Sequence, residues 1–150
     1  MIDKNRIFQL FGNPDNDKNP AVNELINADK DFLKSPEAKL GMFTKMIYNH
    51  DVFHAKLKKF FQKEKTTFNA EEAKDASSFA VFNRAYSYIK SIKINNTKHQ
   101  DALEEFNSKP LFKALNQAIS YFESTEQYER CAFLMKIKEM KRALEKDVPL

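Results

Sequence analysis

The chain is 150 residues long, 42% hydrophobic and rich in aromatic side chains, with 14 Phe and 5 Tyr. That is one ordinary domain with enough apolar area to close a core, so it needs no disulfide or metal as a staple. The net charge of +4 invites a nucleic-acid reading, yet residues 1–75 hold 13 basic and 12 acidic groups and residues 76–150 hold 12 and 9, so neither half is a basic domain.

Other totals narrow the class further. Of the basic residues all but Arg6, Arg84, Arg130 and Arg142 are lysine, and Trp is absent. Codon choice in an AT-rich bacterial or viral genome produces that pattern without any functional charge. Cys131 has no second cysteine to pair with, which favours a reducing compartment. The opening MIDKNRIFQLFGNPDNDKNP lacks the apolar run of a signal peptide. No stretch approaches the roughly 18 apolar residues of a membrane span. A soluble, cytoplasmic protein that makes no use of a membrane is expected.

The elements follow in chain order. Two glycines in the whole sequence disfavour a turn-rich β fold, and the punctuation is that of helices. Asp3 to Leu10 reads as a short helix closed by Gly12, followed by the loop GNPDNDKNP. Asn19-Pro20 caps a helix to Phe32, and Ser35-Pro36 caps another to Tyr48. Asp51 caps a further helix to Lys63, and Asn69-Ala-Glu-Glu72 starts the longest one, ending at Ile92. Thr97 opens a short helix, Ser108-Lys-Pro110 opens one to Glu123, and Ser124-Thr-Glu-Gln127 reads as a capping box for a last helix to Leu144. Val148-Pro149-Leu150 reads as a frayed end.

Apolar spacing supports these helices. Phe53, Leu57, Phe60 and Phe61 mark one core-facing stripe. Phe79, Phe82, Tyr86 and Ile89, and beside them Val81, Ala85, Tyr88 and Ile92, mark two stripes on the longest helix, placing it at the centre of a bundle. Leu115, Ile119 and Phe122, then Tyr128, Cys131, Leu134 or Met135, and Ile137, face the core from the last two helices. The expected fold is all-α: a single compact irregular or orthogonal bundle of about six to eight helices over residues 1–150, with residues 108–146 as a C-terminal hairpin sub-unit.

The sharpest chemical signal is His50-Asp51-Val52-Phe53-His54. Two histidines one helical turn apart can share an ion. The metalloprotease pattern, however, needs Glu after the first His, where this chain has Asp51. The same face offers only Leu57 and Phe61, and His99 and Cys131 are isolated in sequence. His50 and His54 are therefore weak metal candidates, read as packed histidines at the edge of a Phe-lined stripe, and no metal or other cofactor is expected. Asp15, Asp17 and Asn19 mimic a calcium loop, but Pro20 and Ile26 stand where its Gly and bidentate Glu belong.

Lys56, Lys58, Lys59 and Lys63, with Lys65 and the neighbouring Phe60 and Phe61, resemble a basic-aromatic nucleic-acid patch. Projected at about 100° per residue they spread over flanks and back, while both Phe residues fall in the stripe, as on an ordinary solvated face. A second cluster, Lys136, Lys138, Lys141 and Arg142, is diluted by Glu139 and suits a helix C-terminus. There is no phosphate loop, nucleophile elbow or Cys–His pairing. Cys131 lies in an apolar register, and Arg84 falls off the main stripe, as a surface ion pair would. The chain is not read as an enzyme.

Residues 114–137, ALNQAISYFESTEQYERCAFLMKI, resemble the UVR-type helical hairpin of excision-repair proteins and protease adaptors, through Glu126, Tyr128, Glu129, Arg130, Ala132 and Leu134. The pattern departs at Met135-Lys136 and at Ile137, one position early. The resemblance implies a protein-binding hairpin.

The leading functional expectation is a non-enzymatic α-helical adaptor or regulator acting through a protein partner. Tyr86, Tyr88, Tyr121 and Tyr128 are its candidate contacts, since tyrosine combines burial with an exposed hydroxyl. The alternative is a nucleic-acid accessory protein contacting phosphates through Lys56, Lys58, Lys59 and Lys63.

Overall fold

A computed structural model of the chain describes residues 20–64 and 69–146, and among them the architecture is all-α, with six helices and no strand. The expected helix at 3–10, the calcium-like loop, Lys65 and the chain end at 148–150 lie outside the described residues. Helix α1 (Pro20–Leu33) belongs to one unit, which closes at Ser35. The second unit begins at Pro36 and holds α2 (Pro36–Glu64), α3 (Ala70–Ile89), α4 (Thr97–Glu105), α5 (Ser108–Ser124) and α6 (Tyr128–Lys146).

Helix α2 starts where Ser35-Pro36 places it and then runs unbroken through Asn49-His50-Asp51, so the expected pair of helices is one and Asp51 is not a cap. Asn and Asp cost only a few tenths of a kcal/mol in a helix interior. Leu40, Phe43, Ile47 and His50 keep one buried face up to the junction, and half-buried His54 and Leu57 continue it beyond. That face fixes the rotation of the helix. Phe53 and Phe60, expected inside, are 59% and 57% exposed. Phe79 of α3 likewise points outward, while Phe82, Ala85, Ile89 and Ile92 are buried. The central helix is α2, which packs on α3, α4 and α5, whereas the sequence pattern favours the helix beginning at Ala70.

Caps are built from asparagine. The Asn69 side chain accepts from the amides of Glu71 (3.1 Å) and Glu72 (3.3 Å), and Asn96 does the same for Lys98 (2.9 Å) and His99 (3.3 Å). Asn96 thus takes the role expected of Thr97. The expected capping box at 124–127 is a C-terminal motif of α5 instead. The Gln127 amide donates to Phe122 O (2.8 Å) and the Glu126 amide to Glu123 O (3.1 Å), closing a Schellman turn with Glu126 at φ 61°.

The core joins Leu111, Ala114, Leu115, Ala118 and Phe122 of α5 with Leu134 and Ile137 of α6 and with the buried faces of α2 to α4. At its edge Lys141 is 1% exposed. Its ammonium donates to Leu103 O (2.7 Å), Glu104 O (2.9 Å) and Phe106 O (2.7 Å), with Glu145 at 3.8 Å. Three donors meet three carbonyls at the end of α4, where the helix dipole favours a cation. Of the second basic cluster, Lys141 meets a helix C-terminus as expected, though it is a neighbouring helix's. Burial pulls its pKa down, against the upward pull of Glu145 and Glu104.

Candidate functional site

Two contiguous hollows lie along the seam of α2 and α5, joined at Gln117. One, of about 230 Å³, is floored by Ile47, Ala114 and Pro110 and rimmed by Tyr48, Lys109 and Lys113. It exists because Pro110 and Ala114 are small where α5 passes α2, leaving a gap that neither helix fills. Tyr48, directed outward at 59% exposure, forms one bank. Thr44 lines the same hollow at 7% exposure, and its buried hydroxyl has no hydrogen-bond partner. An unpaired buried hydroxyl is costly, so its place in this wall is notable.

The other hollow, of about 400 Å³, is polar. Asp51, Lys74, Asn116 and Ser120 line it, above Phe82 and Tyr121 stacked at 4.6 Å and 12°. His50 forms its inner wall, with Nε2 3.0 Å from Ser78 Oγ. Burial, followed by the neighbouring His54, holds the His50 imidazole below its usual pKa, so it is neutral at pH 7.

The histidine pair sits on the α2–α3 seam, with ring centroids 4.4 Å apart. Ser77 Oγ spends its proton on the carbonyls of Ala73 (2.8 Å) and Lys74 (3.1 Å). The 2.6 Å contact from His54 Nε2 to Ser77 Oγ therefore has the imidazole donating. Nδ1 then carries the lone pair of the ring. Among the described residues no group of three His, Cys, Asp or Glu side chains is placed to hold a metal. Both histidines contact a serine across the α2–α3 seam. Each also meets a phenylalanine edge-on, His50 with Phe82 at 6.0 Å and His54 with Phe53 at 5.6 Å between ring centroids.

The four tyrosines disperse. Tyr121 floors the polar hollow. Tyr86 is half-buried under Arg130, whose guanidinium lies 4.5 Å from its ring and donates to Asn83 Oδ1 at 2.7 Å. Burial raises the Tyr86 pKa. Tyr88 is half-buried, and Tyr128 is exposed at the start of α6. Cys131 is half-buried, its thiol donating to Ile119 O at 3.5 Å, and burial raises its pKa, which suits an inert thiol. Lys56, Lys58, Lys59 and Lys63 are all exposed on α2. Lys56, Lys59 and Lys63 recur at i, i+3 and i+7 and share one face. Lys58 instead turns toward Glu71 and His54 across a small cleft.

Tyr48, Thr44, Lys109, Lys113 and Gln117 were not singled out by sequence reasoning. Their only signal is the small residues Pro110 and Ala114 on an otherwise bulky face, which becomes legible once α2 and α5 are known to pack together. No family model, no curated protein and no solved structure matches this chain. The likeness of residues 114–137 to the UVR hairpin therefore has no support from a family match.

Proposed function

We propose that this chain is a non-enzymatic helical adaptor or regulatory protein that binds a partner protein along the α2–α5 groove. The observation carrying the reading is the apolar hollow of about 230 Å³ beside exposed Tyr48. It is smaller than the roughly 300–1,000 Å³ of typical small-molecule sites, yet it opens onto a longer polar trough, a shape suited to one anchoring side chain of a protein segment. Affinity purification from the native host at low and high salt tests this. A stoichiometric protein partner that survives high salt, and is lost from a Tyr48→Ala variant, is the expected result. Recovery of no protein partner at either salt would sink the reading.

A second reading, nucleic-acid contact, draws support from Phe60. Its exposure beside Lys56, Lys59 and Lys63 restores the basic-aromatic face that the helical projection had dissolved. Binding of single-stranded DNA or RNA should then weaken steeply with salt, and replacing the three lysines with alanine should flatten that slope. Salt-insensitive binding, or none, discards it.

A further inference from the structure

Building on the adaptor reading of the groove, we infer that its occupant is an acidic amphipathic helix of a partner protein. The apolar stripe of that helix would lie on Ile47, Pro110 and Ala114, and its carboxylates would face Lys109 and Lys113.

Two features lead there. The first is dimension. The α5 lining extends from Lys109 to Tyr121, which at 1.5 Å per residue is roughly 18 Å, or about three helical turns. A trough of that length, between α2 and α5 and walled at its polar end by Lys74, Ser78 and Phe82 of α3, is long enough to seat another helix with anchors one turn apart.

The second is charge. The apolar half is lined by no carboxylate, while Lys109 and Lys113, one turn apart and both exposed, stand on the same bank. In the polar half Lys74 faces Asp51. The lining thus carries three lysines to one carboxylate, and His50 is neutral. A basic rim on an apolar floor selects glutamate and aspartate flanking apolar anchors, and rejects a basic helix by repulsion.

The probe is a labelled three-turn peptide with leucine on one face and glutamate on the other, compared with its lysine-for-glutamate counterpart by fluorescence anisotropy. The expected result is binding of the glutamate peptide about tenfold or more tighter than the lysine peptide, with the preference weakened by salt. Lys109→Glu with Lys113→Glu, both at exposed positions, should reverse the preference while leaving the circular dichroism unchanged. Equal binding of the two peptides, binding of neither, or a preference untouched by charge reversal would overturn the inference. So would displacement of the peptide by a single-stranded oligonucleotide, or self-association abolished by the same reversal. If the charge-reversed protein still retains the partner that the wild type captures, the adaptor reading stands and this inference falls.

Discussion

Lys141 and Thr44 are opposite answers to the same problem, a polar group taken out of water. Lys141 places all three donors on the carbonyls ending α4. Replacing it with Met keeps the apolar stem and strips those carbonyls of a charged donor, so urea unfolding should show a loss of about 3 kcal/mol. Thr44 places its hydroxyl on nothing. Thr44→Val should raise stability by about 1 kcal/mol in the same assay, and a loss would show that the hydroxyl contributes to the resting fold. The imidazoles give a pH dependence. His50 is held low by burial and then His54, and His99 by burial and then Lys39 and Lys93. Neutral His99 also accepts the Lys93 amide at Nδ1 (2.8 Å), a bond that protonation destroys. With both folded-state values below the usual one, the unfolded chain binds more protons in acid. Their contribution is complete above the unfolded pKa of about 6.5 and is lost as pH falls through the lowered values. The urea midpoint should therefore fall between about pH 7.5 and about pH 5.5, and fall less in the His50→Gln/His99→Gln variant.

The turn between α5 and α6 departs from the usual chemistry of its motif. A Schellman turn places its C′ residue in the left-handed region, where glycine is free of strain and an L side chain costs roughly 1–2 kcal/mol. Here that residue is Glu126 at φ 61°. Glu126→Gly should raise the thermal midpoint, by about 1 kcal/mol of stability after the entropy of the unfolded glycine is counted. An unchanged midpoint would mean that the Glu126 side chain makes good the strain. The same turn explains why Ser124-Thr-Glu-Gln127 misleads as sequence: Ser124 and Gln127 three apart is the spacing of an N-terminal box, while the Phe122 and Glu123 carbonyls have already claimed the Gln127 and Glu126 amides.

Across the unit from Pro36 onward, stability is concentrated at one end. No described residue from Asp51 to Ser77 is buried, whereas α5 and α6 supply Leu115, Phe122, Leu134 and Ile137 to the core with no exposure at all. In the outer half of the α2–α3 hairpin the His54–Ser77 contact crosses between the helices, while Asn69 caps α3 alone. Native-state hydrogen exchange should find amides of 51–63 and 71–77 opening through a sub-global step, well below the energy needed to expose Leu115. Equal opening energies in both regions would show that the hairpin unfolds only with the whole. The groove proposed as the binding site begins where this difference in stability begins, at Thr44 to Asp51 of α2.

Composition and punctuation alone determined the helical class, the start at Ser35-Pro36, the cap at Asn69 and the core positions Leu115, Phe122, Leu134 and Ile137, because these depend on spacing within a turn or two of chain. Three features were decided only by tertiary packing. The helix runs through Asn49-His50-Asp51 because its inward face continues past buried His50 in half-buried His54 and Leu57, which outweighs weak local propensity. Phe53 and Phe60 face outward because α3 and α5 set the rotation of α2, and apolar spacing gives the period of a stripe but not its phase. The groove exists because α5 brings Pro110 and Ala114 against Thr44, Ile47 and Tyr48, residues far apart in the chain. Local sequence records that these side chains are small or aromatic; where their surfaces fail to meet is a property of two helices packed together.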